Sequence, residues 1–365
     1  MLALFDQYPA LRETLPFVAL GHYPTPVLGA DNLDPDRRSA GITIKNDGVS
    51  GTPYGGNKVR KLEFLLGDAL ARGKKAVLTF GGAGSNHALA TAIYAHRLGL
   101  VPYSFLIRQP NSHSVRYNLL RALQTGAHLQ HFDSVPALAA GATLREARML
   151  FRAQPMPYWI PPGGTCPLGV AGYVNAAFEL SAQVETGDLA MPDVIYIACG
   201  TMGSCVGLAL GLAMLGLHTK VCAVAVTDKR FSSMGKARKL FAQASRFLRR
   251  AGADIAPAQL RPDHVELRSD FFGGEYGRYT EAGMKAVKWF REATGLPIEG
   301  CYTGKCFAAL AADLQAGRLD GQRVLFWNTY DAGSHDHPVD DRDYHLLPAS
   351  FHPYFEGDVQ PLDRG

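Results

Sequence analysis

Two lysines behind a pair of glycines are the residues best placed to do chemistry. Gly55-Gly56-Asn57-Lys58-Val59-Arg60-Lys61 runs from a turn into a helix, with Asn57 suited to the N-cap. Val59, Leu62, Leu66 and Ala69 recur at helical spacing and face a core, which leaves Lys58 and Lys61 on a neighbouring face near the positive helix end. Two cationic neighbours and the helix dipole lower the pKa of Lys58 and expose its lone pair, the state in which an amine attacks a carbonyl. Taken alone, the segment is more simply a helix with solvated lysines.

Further glycine turns change that balance. Gly81-Gly82-Ala83-Gly84-Ser85-Asn86-His87 joins an apolar strand to a helix, where backbone N–H groups and the Ser85 and Asn86 side chains suit a carboxylate. Cys199-Gly200-Thr201-Met202-Gly203-Ser204 follows the most apolar strand, and its amides and hydroxyls suit a phosphate. It lacks both GxGxxG and a P-loop lysine, so a dinucleotide or nucleoside triphosphate is not indicated. Tyr276 lies in a glycine turn, and Tyr302-Thr303-Gly304-Lys305 leads into another helix. An aldehyde-binding lysine, a phosphate loop, a carboxylate loop and loop hydroxyls are the parts of a pyridoxal phosphate site.

These turns need a scaffold that holds them together. From residue 76 onward, strands alternate with helices: strands at 76–80, 102–107 and 127–132, with helices at 85–98, 112–125 and 135–153. The alternation resumes with a helix at 168–184, a strand at 194–198, a helix at 204–215 and a strand at 221–226. Helices at 281–294 and 305–316 and a buried strand at 324–327 complete it. The pattern predicts an α/β chain with two doubly wound, open parallel sheets. Residues 1–50 read as an extended arm with one strand at 42–45, the basic stretch 231–251 as a surface helix, and 331–365 as an ordered tail or lid.

At 365 residues, two domains are expected. A net charge of +4 without a basic block gives no sign of nucleic acid. No apolar run reaches membrane-spanning length, and Asp6, Arg12 and Glu13 interrupt any signal-peptide core. Six cysteines without a CxxC pair suit reduced thiols, and a cytoplasmic protein is expected. The histidines and aspartates of the tail (His335, Asp336, His337, Asp340, Asp341, Asp343, His345) fit no ligand spacing, so no metal is expected.

Taken together, Gly55-Gly56-Asn57-Lys58-x-Arg60-Lys61-Leu62-Glu63 and Gly84-Ser85-Asn86-His87 resemble the D-cysteine desulfhydrase and 1-aminocyclopropane-1-carboxylate (ACC) deaminase family. Ile160-Pro161-Pro162-Gly163-Gly164, Glu275-Tyr276-Gly277 and Tyr302-Thr303-Gly304-Lys305 match as well. The resemblance implies a fold-type II, tryptophan synthase β-like enzyme with pyridoxal 5'-phosphate in the cleft between two domains. It implies a large domain of 1–62 with 170–365, a small domain of 63–169, and a homodimer. By the same resemblance Lys58 is the Schiff-base lysine and Lys61 neutralises the phosphate, which sits on Gly200, Thr201, Met202, Gly203 and Ser204. Asn86 meets the ring hydroxyl, while Ser85, His87 and Gly164 line the substrate. Tyr302 stacks on the ring, Tyr276 is the acid–base group, Thr303 meets the ring nitrogen, and Thr329 completes the cofactor site.

Thr303 stands where ACC deaminases usually carry glutamate, and His87 where they usually carry glutamine. Both differences favour α,β-elimination of a small amino acid to keto acid and ammonia over ring opening. Departures point toward a bulkier substrate or a β-replacement: Met202 in place of glycine, and Asn328-Thr329-Tyr330-Asp331 in place of His-Thr-Gly-Gly.

Overall fold

The computed structural model describes residues 2–151, 155–333 and 338–364. Its strands, in chain order, are β1 (Val27–Gly29), β2 (Gly41–Asn46), β3 (Ala76–Gly82), β4 (Val101–Ile107), β5 (His128–Phe132), β6 (Tyr158–Ile160), β7 (Val194–Cys199), β8 (Lys220–Ala225), β9 (Val265–Arg268) and β10 (Arg323–Asn328). They form a six-stranded sheet in the order β1-β2-β10-β7-β8-β9 and a four-stranded sheet in the order β5-β4-β3-β6. Only β1 runs antiparallel to its neighbour.

Burial on both faces explains the apolar runs. In β7, Ile195 and Ile197 pack on one side with helices Pro167–Glu185 and Gly203–Met214. Val194, Tyr196 and Ala198 pack on the other with helices Glu281–Thr294 and Thr303–Gln315. No polar face remains to give an alternating pattern. The smaller sheet carries helices Asn86–Arg97 and His113–Gln124 over one core, and Val135–Phe151 on the opposite side.

Several expectations fail for identifiable reasons. The N-terminal arm is not simply extended. Helices Ala3–Gln7 and Ala10–Thr14 bury Leu4, Phe5 and Leu11 in the larger core. The basic helix Met234–Arg250 buries a full face (Ala237, Phe241, Ala244, Leu248) and exposes only its charged side. Strands β1, β6 and β9 span three or four residues each, too short for a period to show. The tail also packs against the smaller sheet's core. Leu347, Phe351 and Tyr354 enter the smaller core, and Asn111 and Arg116 donate to backbone carbonyls of Tyr354 and Gly357.

Among the described residues no helix is long and apolar enough to cross a membrane, and no three His, Cys, Asp or Glu side chains cluster as a metal site. His335, Asp336 and His337 lie outside the described residues. All six cysteines are free thiols.

Candidate active site

The lysine helix, Lys58–Ala71, is locked by a buried charge cluster. Arg60 donates to Asp47 (Nε to Oδ2 at 3.0 Å, Nη2 to Oδ1 at 2.7 Å) and to Glu179 (Nη1 to Oε2 at 2.8 Å). Lys45 donates to Glu179 at 2.6 Å, and the Tyr173 hydroxyl to Asp47 at 2.8 Å. Burial pushes the Glu179 carboxyl up, but Arg60 and Lys45 outweigh it and hold the group at about 2. Gly172 lets the neighbouring helix approach closely, because a Cβ there would lie 2.0 Å from the Arg60 carbonyl oxygen.

With Arg60 turned to this cluster, Lys58 has one cationic neighbour, not two. Its pKa is pushed down to about 7, first by burial and then by the charge of Lys61. A large fraction of the amine is therefore uncharged near neutral pH. Lys58 Nζ stands 6.0 Å from the centre of the Tyr302 ring. Burial pushes Lys61 to about 8. Asn57 does not cap the helix. Its backbone is already helical, and its side chain donates instead to Ser204 Oγ at 3.2 Å, tying the lysine helix to the loop after β7.

These groups line one cavity of about 330 Å³ between the two sheets. The cavity opens at the carboxyl ends of β3, β4, β7, β8 and β10, where parallel sheets bind ligands. One end is an anion cradle. Gly200, Thr201, Met202, Gly203 and Ser204 line it at the start of helix Gly203–Met214, with Lys61 opposite. A Cβ on Gly203 would lie 2.7 Å from both Lys61 Nζ and Thr165 Oγ1, so the space beside the lysine exists only because position 203 has no side chain. Thr165 and Thr201 hydroxyls meet at 2.6 Å. Met202 holds a left-handed backbone (φ 68°), and its buried sulfur lies 3.3 Å from Cys199 Sγ.

Opposite the cradle, Ser85 caps helix Asn86–Arg97 by accepting from the Ala88 amide at 3.3 Å. Asn118 donates to Asn86 Oδ1 at 2.9 Å, and Asn86 lines the cavity. His87 is buried, and neither ring nitrogen makes a hydrogen bond among the described residues. Burial, then Lys58 and Lys61, keep it uncharged. Tyr276 and Tyr302 meet hydroxyl to hydroxyl at 2.6 Å, and burial keeps both phenols protonated.

Thr329 and Thr303 line the cavity. Thr303 also takes part in the turn before its helix. It is the first residue of its helix, and its Oγ1 accepts from the Glu299 amide at 2.9 Å. Glu299, which the sequence reading missed, also lines the cavity. Its carboxylate accepts from the amides of Cys301, Tyr302 and Thr303 at 2.7, 2.7 and 3.0 Å. Gly164 does not line the cavity, whereas Gly163 does. Gly164 lies behind the wall, where a Cβ would meet Leu65, His87 and Lys61 side chains. Tyr330 lines the cavity, but Asp331 turns away and accepts from the Gly55 amide at 2.7 Å.

The features fit pyridoxal phosphate: an amine poised near neutrality, an anion cradle that one Cβ would fill, an aromatic face between them, and an unpartnered buried imidazole. The family model for pyridoxal-phosphate-dependent enzymes matches residues 18–329. The chain belongs to that family. It is 32% identical over 321 residues to a Pyrococcus horikoshii protein that carries the provisional name 1-aminocyclopropane-1-carboxylate deaminase, covering 88% of this chain and 93% of that one. It is also 32% identical over 298 residues to the D-cysteine desulfhydrase of Serratia proteamaculans, covering 79% and 86%. A crystal structure of an ACC deaminase homologue superposes with a TM-score of 0.75 at 31% identity, covering 89% of this chain and 95% of that one. The tryptophan synthase β-like, fold-type II architecture expected from the motifs is the one this family adopts.

Proposed function

We propose that this pyridoxal-phosphate-dependent enzyme catalyses α,β-elimination from a small β-substituted amino acid, as in cysteine plus water to hydrogen sulfide, 2-oxo acid and ammonia. The observation that carries the reading is Lys58, an amine held near pKa 7 between an anion cradle and a pair of protonated phenols. Pyridoxal phosphate, when bound, supplies an aldehyde that condenses with amines and a ring that accepts an electron pair. Lys58 contributes the amine for that aldehyde and afterwards a base for the α-proton. Lys61 and the 200–204 loop hold the phosphate, and Ser85 with the Asn86 NH₂ receives the substrate carboxylate at a helix start. The Tyr276–Tyr302 pair holds a proton for the departing β-group, which leaves with the electron pair of its bond to Cβ. Thr303 rather than glutamate favours elimination over ring opening, in keeping with the relative named D-cysteine desulfhydrase. A cytoplasmic homodimer accompanies this reading on family resemblance.

The test has two parts. Borohydride reduction of the yellow holoenzyme, followed by peptide mapping, should place the pyridoxyl group on Lys58. A panel of D- and L-amino acids, with and without added thiol, should release 2-oxo acid and ammonia from β-substituted alanines. Formation of a thioether in place of 2-oxo acid would make the enzyme a β-replacement synthase, and turnover of ACC would restore ring opening.

A further inference from the structure

Beyond the residues proposed to hold cofactor and carboxylate, the same cavity has a further, largely apolar lining. Phe80, Ile107, Val135 and Leu138 form its wall on the smaller sheet, and Phe231 faces them from the larger. Phe80 is fixed by ring contacts with Phe105 (6.1 Å) and Trp159 (5.2 Å), so this wall is part of a packed cluster. At the rim stands Arg108, immediately after β4. The other charges near the mouth already have partners: Arg230 lies 3.8 Å from Asp228, and Glu275 pairs with Arg278. Among the described residues no carboxylate lies within ion-pair distance of Arg108. Apolar walls ending in one unpaired guanidinium match an arm that is apolar along its length and anionic at its tip.

We propose that this outer region is a side-chain subsite, and that the preferred substrate is a β-substituted alanine whose leaving group carries an aryl-sized apolar arm with a terminal anion. The proposal rests on the elimination reading for its chemistry and on the cavity wall for its specificity. For a cysteine S-conjugate, the Cα–H and Cβ–S bonds break and the sulfur leaves with the electron pair and takes a proton. One water is consumed, and the products are the free thiol, pyruvate and ammonium.

The experiment compares cysteine, S-benzylcysteine and S-(4-carboxybenzyl)cysteine, each as D and L, on the holoenzyme. Pyruvate release gives kcat/KM. The absorbance change of holoenzyme titrated with phenylalanine and 4-carboxyphenylalanine gives dissociation constants without any leaving group. The carboxybenzyl conjugate should exceed cysteine of the same hand at least tenfold in kcat/KM. In Arg108→Met the ratio of carboxylated to uncarboxylated compound should fall about fivefold or more, in both kcat/KM and binding, as expected for loss of a rim charge pair. Phe231→Ala should lower kcat/KM for both aryl conjugates relative to cysteine. A preference for cysteine over both conjugates, or a carboxylate ratio that Arg108→Met leaves unchanged, overturns the subsite. Carboxylate-dependent binding without pyruvate from any compound would keep the subsite and overturn the elimination reading instead.

Discussion

Replacing Lys58 with methionine should abolish cofactor linkage and yet stabilise the cofactor-free protein. The folded chain holds this amine at about 7 against 10.5 for an ordinary lysine, through burial first and Lys61 second. A gap of about 3.5 in pKa, at about 1.36 kcal/mol each, bounds the cost of keeping Lys58 charged at about 4.8 kcal/mol. Lys58 is partly open to the cavity, so solvent screening reduces this to about 1–2 kcal/mol. The sign follows from the two states. Above pH 10.5 neither folded nor unfolded chain holds the proton, and no penalty exists. As pH falls from 10.5 toward 7 the unfolded chain takes up the proton first, and the penalty grows. Below 7 both states are protonated and the penalty is constant. Thermal scans of cofactor-free wild type and Lys58→Met at pH 6, 8 and 10 read this directly. At about 2.1 cal/mol/K per residue, the variant should melt about 1–3 °C higher at pH 6, with the gain shrinking toward pH 10. A variant that melts lower at pH 6, or whose advantage widens with rising pH, would refute the idea that Lys58 is a destabilised cation.

Lys61→Met should raise the cofactor dissociation constant at least tenfold and leave cofactor-saturated turnover within about tenfold, since a phosphate contact binds ground and transition states alike. Equilibrium dialysis against turnover at saturating cofactor separates the two. Arg60→Met should cost about 3–5 kcal/mol by leaving Asp47 buried without its cation and Glu179 with Lys45 alone, seen as a large drop in melting temperature. In the wild type, the Glu179 contribution should be complete above pH about 4.5 and fade as pH falls toward about 2, which acid titration of stability would show. Thr303→Ala should lose about 1 kcal/mol by leaving the buried Glu299 amide without its hydroxyl acceptor, while Thr303→Ser should not. If Thr303→Ala leaves the holoenzyme spectrum and product ratio at wild-type values, Thr303 only holds the Glu299 turn and its proposed contact with the ring nitrogen is discarded.

The alternating strands and helices were legible because each buried strand is an unbroken apolar run between glycine turns, and those turns are where the cavity opens. Lys58, Lys61, Ser85, Asn86 and the 200–204 loop are local motifs, and the structure brings them to one cavity. What escaped is non-local. Asp47, Arg60 and Glu179 meet across more than a hundred residues of chain, yet one signal was available. Asn175, Glu179 and Gln183 stand four apart on a largely apolar helix, and all three make buried hydrogen bonds. Glu299 was hidden because a carboxylate before a glycine looks like an exposed turn residue, whereas here it collects three amides. The tail escaped because its short 3₁₀ turns carry no period while its aromatic side chains plug the smaller core.

The position of β10 between β2 and β7 has a consequence for synthesis. Gly41 of β2 pairs in register with Arg323 of β10 across 282 intervening steps of chain. At roughly 5–20 residues per second, a ribosome that has made β2 needs about 14–56 s to supply its parallel neighbour. Through that interval the β1–β2 ribbon has one unpaired edge, and the β7–β8–β9 part of the sheet cannot join it. The smaller sheet draws all its strands from residues 76–160 and meets no such wait. The sheet that carries the 200–204 loop is thus the one whose central strand arrives last, and a nascent chain stalled before residue 323 presents an open strand edge to chaperones.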